Sequence, residues 1–467
     1  MRYLIYSCCF ETPHLETEME VANKMMKEGH EVFFLICEAD LKTCFLNPEH
    51  SKSICNVCQS KIKNGLKMLG IPKDKILNFQ KKILKEVDCK NALNSLESLK
   101  SFQYKDSDIG LAVASSIISA CRDHRFDVNQ YKKQVMVGIE TAIMVHENAD
   151  QILNEIKPDA VIMFNGRFIE SRPVMRLCEK MNIDFYTHER GGQIDRYMFR
   201  KNSTPHSLTF VKAEIEDLWE KGSNNKEEIG KKFFEDRRNK IIQTWHVYTE
   251  KQIEGSLPMG FDPNKRNIGI FNSSMDEYEG IADYNNKLYK DDNEGIEKIC
   301  ASFIDYPEYH FYLRVHPNLK GLKNTQNKKI IEIGKRYKNI TIISAEDKID
   351  SYALMEAVEA VISFASTMGV EALYWNKPSI LLGRSFYEDF EGIIVPNDHD
   401  QAIRIIKEKK NVTSPLSAIK YGYWCVTYGT KFEFFNAESL FSGNFLGKKI
   451  KASLLARVRR KLENLLN

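Results

Sequence analysis

The sequence predicts an α/β protein built from two doubly wound domains, and three observations lead to this prediction. Short apolar runs alternate with helical patterns along the chain, as expected for parallel sheets covered by helices on both faces. A length of 467 residues allows two or three domains, each with its own core. A stretch rich in Gly, Pro and Asn at 255–267 separates two series of such runs, and it is predicted to be a linker.

The predicted strands are apolar runs of three to six residues. Those of the first half cover 3–7, 31–36, 160–164 and 185–187, and those of the second half cover 268–272, 310–315, 340–344, 360–364, 380–382 and 393–395. The long segment 81–154 is mostly helical in pattern. We expect it to interrupt or cap the first sheet.

These elements give an N-terminal domain over 1–254, the linker over 255–267, a C-terminal domain over 268–425 and basic C-terminal helices over 426–467. We therefore predict two Rossmann-like domains that face a central cleft, with ligands at the carboxyl ends of the strands. This arrangement suits a glycosyltransferase of the GT-B type. Neither half has a G-x-G-x-x-G after its first strand, so the sequence does not favour nicotinamide or flavin binding.

The composition is that of an ordinary globular protein, with 28% charged and 43% hydrophobic residues. A net charge of +3 gives no reason to expect a nucleic-acid partner. The apolar start is too short for a secretory signal, and the chain has no 18-residue apolar stretch. With eleven cysteines and no signal, we expect a cytoplasmic protein, with the inner face of the membrane as an alternative location.

Three loops of the second half carry residues suited to a nucleotide. They follow the strands at 268–272, 310–315 and 360–364, and their candidate donor-binding residues are Ser273, Ser274, Arg314, His316, Ser366, Thr367, Gly369 and Glu371. Backbone N–H groups at a strand-to-helix turn can bind phosphate, and an acidic residue one turn on can hold ribose hydroxyls. An imidazolium at position 316 would also offset leaving-group charge. The alternatives are ordinary helix caps and a surface histidine in a turn.

At these positions the chain resembles the capsule polysaccharide synthesis group of bacterial GT-B transferases, which includes the capsule Kdo transferases. The resemblance covers roughly 265–400, and its motifs are His316-Pro317, Ser366 to Leu373, Lys377-Pro378, Gly383 and Phe386-Tyr387. It implies that His316, Ser366 and Thr367 hold the phosphates of the donor and that Glu371 holds its ribose.

The first half is expected to bind the acceptor and to supply a catalytic base. Charged residues follow two of its predicted strands, namely Arg167, His188, Glu189 and Arg190. His14 and Glu16 lie where the first predicted helix begins. We predict Glu189 as general base, with His188, Arg167 and His316 as further catalytic residues. His14, Glu16 and Arg190 are predicted to bind the acceptor. A structural Arg–Glu network and a dipole-favoured acidic first turn are the alternatives.

Four cysteines lie close together in the segment 37–58. Cys37, Cys44, Cys55 and Cys58 could form a tetrahedral zinc site that fixes an irregular loop. Free buried thiols are the alternative. No other cofactor is predicted, and catalysis is expected to require none.

The segment 447–467 combines basic side chains with Leu455, Val458, Leu462 and Leu465 at helical spacing. Such a helix can lie on an anionic membrane surface, or it can pack back on the first domain.

The sequence therefore predicts a glycosyltransferase of surface polysaccharide biosynthesis that uses a nucleotide-sugar donor and a glycan or lipid-linked acceptor. A CDP-alditol phosphotransferase, a sugar-nucleotide 2-epimerase and a non-catalytic scaffold of polysaccharide export are the alternatives.

Overall fold

A computed structural model describes residues 1–80, 89–241, 248–408, 411–412 and 414–466. The chain divides into two compact units. Unit 1 comprises 1–121, 125–205 and 428–467, and unit 2 comprises 122–124 and 206–427. Each unit contains a mainly parallel sheet with helices, so the predicted fold class of two Rossmann-like α/β units is confirmed.

In the described part of unit 1, seven strands form one sheet and two more form a hairpin. The strands are β1 Arg2–Ser7, β2 Glu31–Ile36, β3 Ile76–Asn78, β4 Ala160–Phe164, β5 Asp184–Arg190, β6 Arg196–Lys201, β13 Thr430–Lys431, and the hairpin β14 Phe435–Ser439 and β15 Ser442–Phe445. The order in the sheet is β13-β6-β5-β4-β1-β2-β3. Strands β1 to β5 run parallel, whereas β6 and β13 pair antiparallel. The helices are α1 His14–Lys27, α2 Lys52–Leu69, α3 Leu96–Lys100, α4 Ile109–Cys121, α5 Lys132–Ile156, α6 Arg172–Met181 and α15 Leu454–Leu466.

Unit 2 contains a six-stranded sheet in which every described pairing is parallel. Its strands are β7 Arg266–Phe271, β8 Tyr309–Arg314, β9 Ile340–Ile343, β10 Ala360–Ser363, β11 Ser379–Leu381 and β12 Ile393–Ile394, in the order β12-β11-β10-β7-β8-β9. Its helices are α7 Leu208–Glu220, α8 Lys226–Arg238, α9 Asp292–Ser302, α10 Thr325–Arg336, α11 Ser351–Ala357, α12 Met368–Tyr374, α13 His399–Lys407 and α14 Leu416–Thr427.

The central strands are apolar without interruption because both faces of each sheet are covered. In β1, Leu4 and Tyr6 enter one core cluster, whereas Tyr3 and Ile5 enter the cluster on the opposite face. This is the two-residue alternation of an extended strand.

Each sheet has one point at which the strand order reverses. The chain runs from β1 through β2 to β3 and then returns to place β4 on the other side of β1. In unit 2 the same reversal occurs between β7 and β10. In open α/β sheets, ligands bind at the carboxyl ends of the strands beside such a point.

The division between the units differs from the predicted boundary at 254. Helices α7 and α8 belong to unit 2, where α8 crosses α14 so closely that two glycines, Gly230 and Gly422, meet. The predicted linker 255–267 also lies within unit 2, where the N–H of Gly255 donates to Asp350 Oδ2 at 2.9 Å. No strand lies between α7 and α8, so the local sequence does not indicate which sheet these helices cover. Residues 428–467 form part of unit 1.

The predicted helical segment 81–154 contains α3, α4 and most of α5, and its residues 81–88 lie outside the described part of the chain. Strands β3, β6 and β13 to β15 were not predicted, because they are short or carry mainly polar residues. No helix among the described residues is both long enough and apolar enough to span a bilayer.

The close α8–α14 crossing predicts that one added methyl group will lower the stability of the protein strongly. A Cβ at Gly230 would lie 2.3 Å from the carbonyl oxygen of Ile419, and one at Gly422 would lie 2.3 Å from that of Gly230. Backbone atoms cannot rotate away, so Gly230→Ala and Gly422→Ala should each lower the free energy of unfolding by about 2 kcal/mol or more. Urea unfolding measures this. Glu228→Ala, on an exposed position of α8, is the control, and equal stability of all three variants would contradict the packing.

Candidate functional site

A pocket in unit 2 lies at the carboxyl ends of β7, β8 and β10, beside the point where the strand order reverses. It has an empty volume of about 710 Å³, part of it open to solvent, which is within the usual range for small-molecule sites. Its lining includes Arg237, Asn272, Arg314, His316, Tyr352, Ser366, Thr367 and Glu371. Five of the predicted donor-binding residues are therefore brought together in one pocket.

Glu371 is a buried carboxylate in this pocket, with only 1% of its surface exposed. Arg237 Nη2 donates to its Oε1 at 3.1 Å, and the hydroxyl of Tyr352 donates to its Oε2 at 2.5 Å. The charge of Glu371 raises the pKa of Arg237. A carboxylate can accept about four hydrogen bonds, and these two partners leave acceptor positions for a further donor.

His316 lies where β8 ends, and Pro317 follows it. Its backbone N–H donates to Asn272 Oδ1 at 2.9 Å, and the N–H of Asn318 donates to its Nδ1 at 3.2 Å. Because Nδ1 is an acceptor, the neutral ring carries its proton on Nε2. Burial lowers the pKa of His316 from 6.5 to about 4. The prediction of an imidazolium is therefore wrong, and the side chain is a neutral hydrogen-bond donor at pH 7.

Arg314 lines the pocket but uses its guanidinium mainly to hold a neighbouring loop. Its Nη1 donates to the carbonyl of Ser344 at 2.5 Å and its Nη2 to that of Asp347 at 3.0 Å. Ser366 and Thr367 line the pocket directly. The backbone N–H of Met368 donates to Ser366 Oγ at 3.3 Å.

Three other predicted donor-binding residues are not among those that line the pocket. A Cβ at Gly369 would lie 2.5 Å from Ser363 Oγ, so this glycine is required by packing beneath the loop. Ser273 is held through its backbone, which accepts a hydrogen bond from Gln326 Nε2 at 2.8 Å. Ser274 Oγ donates to Asp276 Oδ1 at 2.6 Å. These residues shape the loop after β7.

Sequence reasoning missed Arg237, Asn272 and Tyr352. Arg237 lies 134 residues before its partner Glu371, on a helix with no recognisable motif. Only Asn272 had a local signal, as the last residue of a predicted strand.

Unit 1 has a second polar cluster, at the ends of β1, β4 and β5 and on α1. Glu189 Oε2 accepts a hydrogen bond from Asn165 Nδ2 at 3.0 Å, and its Oε1 accepts one from the N–H of Arg190 at 3.1 Å. His14 Nε2 lies 3.4 Å from the same Oε1. The side chain of Glu189 is 23% exposed, so solvent or a ligand can reach it. Burial and neighbouring positive charge lower the pKa of His14 well below its usual value.

The side chain of His188 is fully buried, whereas its predicted catalytic role requires contact with a substrate. Its Nε2 is 3.3 Å from Glu18 Oε1, both side chains are fully buried, and Ser7 Oγ donates to Glu18 Oε2. Burial raises the pKa of Glu18, although the hydrogen bond from His188 opposes this shift. The buried contact between His188 and Glu18 therefore stabilises the end of β5. Glu18 had not been predicted as part of a site.

The remaining predicted residues of unit 1 contact its own loops. Arg190 Nη2 donates to the carbonyl of Thr12 at 3.0 Å, and Nη1 donates to that of Leu440. Glu16 accepts a hydrogen bond from Thr12 Oγ1 at 2.9 Å and lies 3.3 Å from Lys61 Nζ. Arg167 Nη2 donates to Ser119 Oγ at 3.5 Å, and its guanidinium stacks on Phe168.

The four cysteines of the predicted zinc site line a separate, mainly apolar pocket in unit 1, together with Cys8. All four are free thiols. Burial raises the pKa of Cys37 to about 11 and raises those of Cys44, Cys55 and Cys58 as well. Among the described residues, no three His, Cys, Asp or Glu side chains are arranged to hold a metal ion. Zinc binding by these four cysteines therefore stays a prediction.

Comparison with known proteins agrees with the resemblance noted in the second half of the chain. Residues 282–418 match the family model described as capsule polysaccharide biosynthesis protein, a range that includes His316 and Glu371. The resemblance is confirmed over this region, which lies within unit 2. No curated protein matches the chain.

Several solved structures share features of this fold at low identity. KpsC of Thermosulfurimonas dismutans, a β-Kdo 2,4 transferase, is 13% identical over 65% of this chain and 87% of its own, with a TM-score of 0.37. The UDP-GlcNAc 2-epimerase of Methanocaldococcus jannaschii is 12% identical over 90% of this chain and 98% of its own, with a TM-score of 0.30. MnaA of S. aureus, solved with UDP, is 11% identical over 100% of this chain and 96% of its own, with a TM-score of 0.28. At these values the similarities do not assign a function.

The lowered pKa of His316 predicts how stability changes in acid. As the pH falls below 6.5, the unfolded chain takes up a proton at this side chain while the folded chain does not until about pH 4. The free energy of unfolding should therefore decrease over this interval, by about 1.4 kcal/mol for each pH unit. In His316→Gln this part of the decrease should be absent. Urea unfolding at pH 7 and pH 4.5 measures it, and the same decrease in both proteins would contradict a buried neutral histidine.

Proposed function

We propose that the chain is a glycosyltransferase that moves a sugar from a nucleotide-sugar donor to a glycan or lipid-linked acceptor in surface polysaccharide biosynthesis. One observation carries the proposal. The loops after β7, β8 and β10 converge on a pocket that combines a neutral histidine donor with a buried, partly satisfied carboxylate. The capsule polysaccharide biosynthesis match over the same residues supports this function.

In this proposal the nucleotide of the donor occupies the pocket of unit 2. The Nε2–H of His316 donates to a phosphate oxygen, and the free acceptor positions of Glu371 receive the ribose hydroxyls. Arg237 adds positive charge near the phosphates while its hydrogen bond fixes the position of Glu371. These contacts distinguish a nucleotide from a free sugar, because only the nucleotide offers both an anion and a ribose diol.

Glu189 is the proposed general base for an inverting transfer. Its carboxylate would take the proton of the acceptor hydroxyl while that oxygen forms a bond to the anomeric carbon and the nucleotide leaves with the electron pair. Asn165 and the N–H of Arg190 fix its orientation. The proposed step uses no metal or cofactor.

The nucleotide site predicts specific losses of affinity. Isothermal titration with UDP-, GDP-, CMP- and dTDP-linked sugars should find one nucleotide class that binds. His316→Ala and Glu371→Gln should each weaken that binding about tenfold or more, because each removes a hydrogen bond to a charged or buried group. His310→Ala, on the same strand, and Glu356→Gln, on the surface, should leave the affinity unchanged. Unchanged affinity in both pocket variants would contradict the site assignment.

The role of Glu189 predicts a loss of turnover without a loss of donor binding. Purified protein given its donor, with water or a glycan as acceptor, should release the nucleotide, and Glu189→Gln should lower kcat by about 100-fold or more. The exposed carboxylate variant Glu179→Gln is the control. Full activity in Glu189→Gln would refute its role as base.

The products of the reaction distinguish a glycosyltransferase from the alternative functions. A phosphotransferase would pass phosphate into the product, and a 2-epimerase would convert the donor sugar without releasing it. A scaffold protein would bind the nucleotide without turnover.

A further inference from the structure

The C-terminal helix α15 has two different faces, and only one of them is used by the fold. Ala456 packs against Val57 of α2, and both side chains are buried. On the same face, Ser51 Oγ donates to both carboxylate oxygens of Glu463 at 3.0 and 3.1 Å. These contacts fix the rotation of α15 about its own axis within unit 1.

The opposite face of α15 is an apolar stripe formed by Leu454, Leu455, Val458 and Leu462. Their exposed fractions are 69%, 62%, 44% and 55%. With about 100° between successive residues, these four side chains fall within an arc of about 100°. Ala456 and Glu463 lie outside that arc, toward α2. Four large aliphatic side chains exposed on one face of a helix are typical of an interaction surface.

The charge around the stripe is almost entirely positive. Seven basic residues occur between 447 and 463, namely Lys448, Lys449, Lys451, Arg457, Arg459, Arg460 and Lys461. The single acidic residue of this range is Glu463, which faces α2. By helical angle, Lys461 and Arg459 border the stripe on its two sides. A second copy of the chain would bring like charges together, which opposes pairing through this face.

We propose that α15 docks unit 1 on an anionic lipid bilayer. Leu454, Leu455, Val458 and Leu462 would enter the boundary between headgroups and acyl chains, and the flanking basic side chains would contact lipid phosphates. Helices with an apolar face and Lys or Arg along its edges lie in the membrane interface in this way. This inference does not depend on the identity of the nucleotide or on the proposed reaction.

Vesicle co-sedimentation of the full chain tests the proposal. Vesicles of phosphatidylcholine alone are compared with vesicles that also contain phosphatidylglycerol. The protein should sediment with the anionic vesicles at least tenfold more tightly than with the neutral ones, and added salt should weaken the binding. The double variants Leu455→Ser with Leu462→Ser, and Arg459→Glu with Lys461→Glu, should each lose at least tenfold in affinity.

Two matched controls carry equivalent changes on unit 2. Ile253→Ser with Met259→Ser removes two other exposed apolar side chains, and Lys323→Glu with Lys338→Glu reverses two other exposed charges. Both controls should bind like the unaltered protein, and the thermal midpoints should be unchanged because every altered side chain is largely exposed. The proposal is overturned if the unaltered protein ignores anionic vesicles or if the α15 variants bind as well as the controls. It is also overturned if sedimentation velocity shows that the stripe joins two copies of the chain instead.

Discussion

The pocket of unit 2 depends on one buried ion pair, that between Arg237 and Glu371. The two residues belong to α8 and α12, and Tyr352 of α11 completes the contact, so a single carboxylate joins three helices. A charge with 1% exposure is tolerated only when it is paired and hydrogen-bonded, and removal of one partner from such a pair typically costs about 3–5 kcal/mol. The same carboxylate lines the pocket. The group that holds these helices together is therefore also the group that we propose to bind ribose, which couples ligand binding to the stability of unit 2.

The two units share a topology but carry different polar residues where the strand order reverses. Each sheet reverses its strand order beside its first strand, and each has polar residues at that position. In unit 2 the reversal borders a pocket with a neutral histidine and a paired carboxylate. In unit 1 it borders two histidine–glutamate contacts, one of which is fully buried while the other is open at Glu189. The two reversals therefore differ in how far their carboxylates are exposed and in which side chains hold them.

The sequence predicts the parts of this structure that depend on local pattern. Strands buried on both faces appear as uninterrupted apolar runs, and the loops that follow them mark the pocket. The charge of His316 could not be predicted, because its pKa of about 4 arises from burial by residues distant in sequence. The pairing of Arg237 with Glu371 spans 134 residues and leaves no local pattern. Gly369 was placed in the site because it follows the Ser-Thr turn, whereas its contact with Ser363 shows a packing requirement.

The most direct test of the account is hydrogen–deuterium exchange with and without a nucleotide sugar that binds. If the pocket of unit 2 holds the nucleotide, exchange should slow in the backbone segments after β7, β8 and β10, at 272–275, 315–318 and 365–371. Protection confined to other segments, with these three unchanged at saturating ligand, would contradict the central claim.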